Sequence, residues 1–315
     1  MKNQNEKLTI RERALLLSAG LLGRRTEGAQ KLFEAPPRGV VTIINDCRDD
    51  NARGRQEARV SALTGLSSAF IGATSDINAA GNLVDALDAL EGISDEKTNR
   101  PKNAILVNVA PRGGEAKKHK NGTPFGYFWY GQTLVLSSID GHTLSLVKKL
   151  GLTKHIHVLD IPAVLDVLAG EGTFPDSEKE RITNTQFRSY EFLPRAAEYL
   201  LRRTHIRSGP VSIEEIPTIP SDYIWEVDNF GNCKTATLEG EVPGNRIGFR
   251  SKELELDFVR SYPFLKDVPN GELGVVVGSS GFRDRRFLEI VQKEGSAIQT
   301  LVRHGLTLPS IGKSH

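Results

Sequence analysis

The chain has few of the residues that mark disulfide-rich, zinc-binding or membrane-spanning proteins. Its 315 residues include two cysteines, Cys47 and Cys233, and one methionine. Two distant cysteines support neither a disulfide framework nor a zinc site, and their scarcity is typical of a protein in the reducing cytoplasm. We expect both to be small buried residues without reactive thiols. No run approaches the roughly 18 apolar residues of a membrane helix, so the sequence predicts a cytoplasmic protein without a membrane partner.

The sequence also lacks an excess of charge of either sign. Lysine and arginine together number 41 against 39 aspartates and glutamates, which gives a formal net charge of +2. A charge this close to zero provides no broad basic face, so we expect no nucleic-acid partner. Hydrophobic residues at 38% and charged residues at 25% are ordinary for a globular protein, and the length suffices for two domains.

Hydrophobic patterning predicts an α/β protein with a mostly parallel N-terminal sheet and flanking helices, followed by a smaller all-β C-terminal domain. Residues 1–37 are predicted to be an extension with one helix, residues 38–208 the α/β domain, and residues 209–315 a small β-barrel-like domain. Proline-rich sequence at Pro210, Pro217 and Pro220 is predicted to link the last two. The predicted strands cover residues 40–44, 104–109, 134–136, 156–159, 223–227, 235–238, 246–249, 275–277 and 287–291, and the predicted helices cover 10–22, 79–90 and 194–202, with Asn78 as an N-cap.

Two loops place polar side chains where a predicted strand ends. Asp46 follows the first strand, at the edge where open α/β sheets bind ligands, and its carboxylate can accept two hydrogen bonds from a ribose diol. Asp228 and Asn232 bracket a Phe-Gly corner after the strand over 223–227. An aspartate can hold an ammonium group, and an asparagine can offer a donor and an acceptor to an adenine edge. A solvated acidic loop and an ordinary hairpin turn fit the same two segments.

No motif for a common cofactor accompanies these loops. The glycine-rich dinucleotide motif, the P-loop and the HExxH zinc motif are absent from fitting contexts. His155 and His157 fall on one face of a predicted strand, as paired metal ligands would, but no third ligand is evident. The sequence therefore predicts no metal site.

Six segments, taken in order, resemble the S-adenosylmethionine (SAM) hydroxide adenosyltransferases, the family that includes the fluorinase and chlorinase enzymes. The resemblance runs from about residue 39 to residue 305. The segments are Asp46 with Asp49-Asp50, Val109-Ala110-Pro111-Arg112-Gly113-Gly114, residues 140–147, residues 187–197, Asp228-Asn229-Phe230-Gly231-Asn232, and Ser279-Ser280-Gly281-Phe282 with residues 287–290 and 295–297.

The resemblance implies a binding site for SAM between neighbouring copies of the chain in a homotrimer. The N-terminal domain of one copy and the C-terminal domain of the next would share each ligand. Asp46 would hold the ribose hydroxyls, Asp228 the methionine ammonium and Asn232 the adenine edge, and Ser279 or Ser280 would meet the methionine carboxylate. SAM would be the substrate, and no cofactor is implied.

The reaction centre departs from the family pattern. The hydroxide-type enzymes handle water with an Asp, an Arg and a His. These align here with Ala110, with Lys117 or Lys118, and with Arg188 or, if the gap is placed differently, Phe187. Arg112 adds a new positive charge. Arg112 and Arg188 could bind an anionic nucleophile or a carboxylate substrate, or they could equally be solvated loop arginines. Ser189 falls where the fluorinase has a serine that donates to halide. The predicted catalytic set is thus Arg112, Lys117, Arg188 and Ser189.

The function that this pattern predicts is nucleophilic displacement at C5′ of the adenosyl group, with hydrolysis of SAM to adenosine and methionine as the default reaction. A catalytically silent protein that binds SAM or another nucleoside is the alternative, since Ala110 replaces the expected carboxylate. A SAM-dependent halogenase is a third interpretation, and of its pattern only Ser189 remains.

Overall fold

The computed structural model describes residues 39–92, 101–109, 124–172, 174–206, 208–221, 223–241, 246–250 and 255–304. Residues Gly39–His315 form one compact unit. The predicted helix over residues 10–22 and the loop residues Ala110, Arg112 and Lys117 lie outside the described residues.

The N-terminal part alternates strands with helices around one seven-stranded sheet, in the order β2-β1-β3-β5-β4-β6-β7. Strands β2, β1, β3 and β5 pair in parallel, and β4 and β7 run opposite to their neighbours, so five of the seven strands share one direction. This confirms the predicted mostly parallel sheet with flanking helices. The elements are β1 (Val40–Asn45), α1 (Asp50–Thr64), β2 (Ser67–Gly72), α2 (Asp76–Glu91), β3 (Asn103–Asn108), β4 (Phe125–Tyr130), β5 (Thr133–Ser138), α3 (Ser145–Lys149), β6 (His155–Leu159), α4 (Ile161–Gly170), α5 (Lys179–Asn184), α6 (Arg188–Glu191), α7 (Leu193–Arg203) and β7 (Gly209–Ser212).

The C-terminal part contains a separate antiparallel sheet, in the order β12-β13-β9-β8, and a two-stranded hairpin of β10 and β11. In the described residues β12 and β8 are the outer strands of the four-stranded sheet, so its hydrogen bonds do not close into a ring. Strand β12 makes one further bridge, from Val275 to Ser261. The elements are β8 (Ile224–Val227), β9 (Cys233–Leu238), β10 (Arg246–Arg250), β11 (Glu255–Arg260), β12 (Leu273–Phe282), β13 (Arg285–Gln292) and α8 (Ala297–Arg303).

The proline-rich stretch that the sequence predicts to be a linker contributes a strand to the larger sheet. Strand β7 pairs with β6, with Pro210 opposite His157. Proline cannot donate a ladder hydrogen bond, and β7 tolerates it because this strand is the edge of the sheet. The seven-stranded sheet therefore extends to residue 212, past the predicted boundary at 208.

The two faces of the seven-stranded sheet carry separate apolar cores. On one face Val41 and Ile43 of β1 pack in a cluster with α1, α4 and α7. On the other face Ile44 packs with α2 and α3, and this second cluster continues into the four-stranded sheet through Trp225 and Phe287. Successive side chains of β1 thus point into two different cores, and the C-terminal sheet packs only against the core that contains Ile44.

Helix α2 lies between the two sheets and is buried on most of its circumference. Its N-cap is Ser75, whose side chain accepts a hydrogen bond from the Asn78 backbone, so the prediction that Asn78 is the cap was wrong. The Asn78 side chain instead donates to the Trp225 carbonyl (3.2 Å) and to the Glu226 carboxylate.

One turn later, a Cβ at Gly81 would fall 2.1 Å from the Trp225 ring. The absence of a side chain at Gly81 is what lets the C-terminal sheet reach the helix.

No helix among the described residues is both long and apolar enough to cross a membrane.

We expect Gly81→Ala to lower the free energy of unfolding by about 1–3 kcal/mol, since the added methyl group overpacks a buried ring contact. Gly54→Ala is the matched control, because Gly54 also lies inside a helix but has nothing within 4 Å of an added Cβ. Alanine there should stabilise the protein by about 0.5–1 kcal/mol through helix propensity alone. Urea unfolding midpoints measure both, and equal stabilities for the two variants would contradict the role of Gly81.

Candidate functional site

The turn between β8 and β9 holds an acid and an amide side by side. Oδ1 of Asp228 accepts hydrogen bonds from the backbone N–H groups of Phe230 (2.8 Å) and Asn232 (2.9 Å), and its Oδ2 accepts one from Nδ2 of Asn232 (2.9 Å). Partial burial alone would raise the pKa of Asp228. The hydrogen bonds from Asn232 and Phe230, helped by the charge of Lys234, outweigh that effect and hold the pKa below its usual range. Asp228 is therefore a fixed carboxylate at neutral pH.

Helix α8 fixes the position of this turn. Gly231 has a φ of +83°, and a Cβ there would lie 2.1 Å from Oγ of Ser296, which caps α8. The Ile298 N–H donates to the Gly231 carbonyl at 3.0 Å. Only glycine satisfies both the left-handed backbone and the close approach. The turn is thus held by the body of the domain, and it presents Phe230 with 73% of its surface exposed.

The turn keeps hydrogen-bonding capacity for a ligand. Within the described part of the chain, one N–H and the Oδ1 acceptor of Asn232 have no other partner, and Oδ2 of Asp228 accepts only from Asn232. A carboxylate oxygen has room for a further donor, and an amide with one donor and one acceptor matches the edge of a purine base. The arrangement suits a ligand that carries an ammonium group and an adenine-like ring.

Lys234, two residues past the turn, contacts both strand β12 and helix α2. Its strand neighbours across β9 are Glu226 on β8 and Glu289 on β13. Its Nζ donates to Oγ of Ser280 at 2.7 Å and lies 3.7 Å from Oδ2 of Asp85 on α2. Ser280 in turn donates to the same Asp85 oxygen at 2.8 Å. We call Asp85, Lys234, Ser280 and Glu289 the polar belt.

The polar belt contains two acids that resist ionisation. Burial raises the pKa of Asp85, although hydrogen bonds from Ser280 and from the Gly281 N–H and the charge of Lys234 oppose the shift. Burial also raises the pKa of Glu289, against the attraction of Lys234. Within the described residues, Oε1 of Glu289 is buried and accepts no hydrogen bond. Lys234 is thus the cation whose charge opposes the upward pKa shift of both acids.

The two candidate serines have different access. Ser280 is 1% exposed, and its hydroxyl group is already engaged with Lys234 and Asp85. Ser279 is exposed, its backbone N–H donates to the Glu289 carboxyl group, and its carbonyl accepts from Nη1 of Arg286 at 3.0 Å. Of the two, Ser279 has the hydroxyl that a ligand can reach.

Asp46 lies at the carboxyl edge of the larger sheet, half buried, where its backbone N–H donates to the Asn108 carbonyl of β3 at 3.4 Å. The loop around it is held by buried Asn45, whose Nδ2 donates to Oε1 of Gln56 (2.7 Å) and whose Oδ1 accepts from the Cys47 N–H (2.8 Å). Asp49 caps α1. The loop therefore has a defined shape, with Asp46 at the strand end that the sequence indicates.

Arg188 and Ser189 lie on the short helix α6, beside α1 and α7. The neighbouring Glu191 pairs with Arg59 of α1 (3.4 Å) and with Arg195 of α7 (3.4 Å). Burial lowers the pKa of the Arg188 guanidinium. Helices α1 and α7 pack on one face of the seven-stranded sheet, and α2 packs on the other. Helix α6 and the polar belt therefore lie on different faces of this sheet.

The structure therefore brings four of the predicted residues together: Asp228, Asn232, Ser279 and Ser280. Asp46 lies in the other sheet, and Arg188 and Ser189 lie across that sheet from the belt. Sequence reasoning missed Asp85, Lys234 and Glu289, which are far apart along the chain. The one local signal was a charged residue between apolar neighbours, as at Glu289 between Leu288 and Ile290.

The described cysteines and His157 have the following environments. Cys233 is buried, and burial raises the pKa of its thiol to about 12, which leaves it unreactive. Cys47 is exposed, so the prediction that both cysteines are buried was wrong for it. His157 stacks on Tyr127 with ring centroids 5.0 Å apart. No group of three potential ligands among the described residues is placed to hold a metal ion.

We expect Lys234→Met to lower the free energy of unfolding at pH 7 by about 1–3 kcal/mol, because it leaves two poorly solvated carboxylates without their cation. The loss should shrink as the pH falls toward 5. A carboxyl group whose pKa is raised by folding binds a proton more readily in the folded state, so its protonation favours folding.

Urea unfolding at pH 7 and pH 5 measures this change. Lys154→Met is the control, since Lys154 is exposed and its substitution should cost little at either pH. A deficit in Lys234→Met that stays constant or grows on acidification would contradict the belt electrostatics.

Comparison with known proteins supports the fold. No protein-family model matches the chain, and no curated protein matches it. The chain is similar to the crystal structure of an uncharacterized conserved protein from Thermotoga maritima, with a TM-score of 0.54 and 15% identity over 85% of this chain and 97% of that one. A conserved hypothetical protein from Thermus thermophilus matches with a TM-score of 0.49 and 18% identity, over 84% and 95% of the two chains. The first likeness shows a shared arrangement of the two sheets.

Proposed function

We propose that the protein binds SAM and promotes nucleophilic displacement at C5′ of its adenosyl group, with water as the default nucleophile. The observation that carries this proposal is the Asp228 turn, where a carboxylate and an amide are held 2.9 Å apart by the turn itself. SAM presents an ammonium group and an adenine edge, which are the two groups that such a pair can bind.

Preorganisation strengthens this argument. The turn is anchored to α8 through Gly231, so neither side chain has to be ordered when the ligand arrives. Binding then costs less conformational entropy than binding to a mobile loop would. The hydroxyl group of Ser279, on β12 of the same sheet, is exposed and can donate to the methionine carboxylate.

The chemistry needs little from the protein beyond alignment. The oxygen of water attacks C5′, the C5′–S bond breaks, and its electron pair goes to sulfur. Adenosine, methionine and one proton are released. Because the sulfonium makes methionine a good leaving group, holding water in line behind C5′ and excluding other water are the main requirements. Arg112, Lys117, Arg188 and Ser189 are the proposed residues for that task.

Asp46 enters the proposal through self-association. We propose a homotrimer in which Asp46 of one copy holds the ribose hydroxyls of a SAM molecule whose adenine and ammonium groups contact the turn of the next copy. The placement of Arg188 and the belt on different faces of the larger sheet agrees with a site that needs two chains.

A catalytically silent SAM- or nucleoside-binding protein is the second candidate. The observation that favours it is Ala110, which stands where the enzymes that the chain resembles have the carboxylate that handles water. Incubation with SAM followed by chromatography decides between the two, because adenosine above the level of a protein-free sample requires turnover.

Calorimetric titration tests the binding roles. We expect Asp228→Asn to weaken SAM by about tenfold or more, through the loss of a charge-assisted hydrogen bond. Adenosine should weaken less, because it has no ammonium group and is affected only through Asn232, which loses its acceptor at Asp228. Asn232→Ala should weaken both ligands. Asp284→Asn, an exposed aspartate in the β12–β13 turn, is the control. No heat from SAM at millimolar concentration would end the proposal, and equal loss of adenosine in Asp228→Asn would refute the ammonium role.

Mixing two inactive variants tests the shared site. If Asp46→Ala and Asp228→Asn each abolish turnover, mixed trimers should regain about a quarter of the wild-type activity, since each site draws one residue from each of two neighbours. Sites contained within one chain would regain nothing on mixing.

A further inference from the structure

We infer that Arg55, Arg59 and Tyr190 form a binding site for a phosphate monoester or inorganic phosphate. The site shares helix α6 with Arg188 and Ser189 but uses neither of them. We call these three residues the Arg–Tyr site. Both guanidinium groups lie against the same ring, with Cζ of Arg55 4.6 Å and Cζ of Arg59 4.2 Å from its centroid. The inference stands independently of the proposed reaction.

Arg59 is held in place by residues of α6. Nη2 of Arg59 donates to the Tyr190 hydroxyl group at 2.7 Å, and its Nη1 lies 3.4 Å from the Glu191 carboxylate. Arg55 is one turn earlier on α1 and is exposed. Arg59 is thus the fixed element and Arg55 the accessible one, on a helix whose backbone sets their spacing.

The surroundings leave positive charge uncompensated. Glu191, 9% exposed, also pairs with Arg181 (3.3 Å) and Arg195 (3.4 Å), and Arg181 pairs with Glu178 at 2.6 Å. Within the described residues, Arg59, Arg181 and Arg195 share Glu191 and Glu178, and Arg55 has no acidic partner. These four arginines therefore exceed the two glutamates by two positive charges. The formal charge of the whole chain is +2, so this small area carries as much excess as the entire sequence.

The pKa shifts nearby agree with that excess. Burial lowers the pKa of Arg195, and the charges of Arg59 and Arg181 lower it further. Burial would raise the pKa of Tyr190, but hydrogen bonds and charge from Arg59 and Arg55 lower it on balance. An arriving anion would relieve repulsion that the folded protein already contains.

A phosphate fits better than a carboxylate or a long nucleic acid. A phosphate monoester carries a charge of about −1.5 to −2 at neutral pH, which matches the excess of two, and guanidinium forks bind its oxygens in pairs. The site is compact, with two guanidinium groups converging on one ring, whereas nucleic-acid surfaces spread their basic residues along a stripe.

Isothermal titration with inorganic phosphate tests the site, with ionic strength balanced by sodium chloride. We expect Arg55→Gln to weaken phosphate by about tenfold or more, the loss of a charge-assisted pair. Arg59→Gln should weaken it as well. Arg53→Gln is the matched control, because Arg53 lies on the same helix with the same charge but pairs with Glu57 at 3.4 Å. Its phosphate affinity should equal that of the wild type.

Three results would overturn the inference. The first is a wild-type protein that gives the same heat with phosphate as with chloride. The second is equal weakening in Arg53→Gln and Arg55→Gln, which would mean general screening by charge. The third is binding of a single-stranded oligonucleotide with no response to inorganic phosphate, which would assign the surface to nucleic acid. Arg55 is exposed, so circular dichroism should show Arg55→Gln folded and keep all three results interpretable.

Discussion

The contact between Gly81 and the Trp225 ring is the constraint on which the rest of the structure depends. The ring fills the space where any other residue would place a Cβ, 2.1 Å away, and so brings the C-terminal sheet directly onto α2. That approach puts Asp85, one turn beyond Gly81, next to Lys234 and Ser280. The turn at Asp228 is two strand positions from Lys234. One missing side chain in a helix therefore determines where the candidate site lies.

The polar belt shows why a charged group can lie inside this contact. Apolar residues surround it on the same sheet face, with Phe287 on one side and Val291 on the other. An unpaired lysine there would be costly, and so would two unpaired acids. Lys234, Ser280 and the Gly281 N–H all meet Asp85, and these contacts fix the register of α2 against the sheet. The charge of Lys234 also favours the ionised form of Glu289, although no described residue donates a hydrogen bond to its Oε1. Direct apolar packing would hold the same surfaces but would allow them to slide.

Much of the fold could be predicted from the sequence because its strands are short apolar runs with clear ends. Strands β1, β3, β5 and β6 were found on that basis, as were β8, β9, β12 and β13. Helix α1 was missed because its residues are mostly polar and only Gln56 and Val60 are buried. Strand β2 was missed because its three apolar residues, Ala69-Phe70-Ile71, stand between two serines and a glycine, and none of its residues is buried. Strand β7 was hidden by Pro210, which is acceptable only at a sheet edge that the sequence does not reveal.

The candidate site likewise contains residues that the sequence could predict and residues that it could not. Asp228 and Asn232 could be found because their chemistry is local to one turn. Asp85, Lys234 and Glu289 could not, because their association depends on packing between α2 and a sheet that begins more than a hundred residues later. The Asp228 turn adds a charge argument to the proposal. SAM has a net positive charge at neutral pH, and Asp228 is a carboxylate whose pKa lies below its usual range, so it attracts that cation. Displacement removes the sulfonium and leaves a neutral nucleoside and a zwitterionic amino acid. Neither product carries the net positive charge that draws SAM to this carboxylate, so the attraction that favours binding does not oppose release.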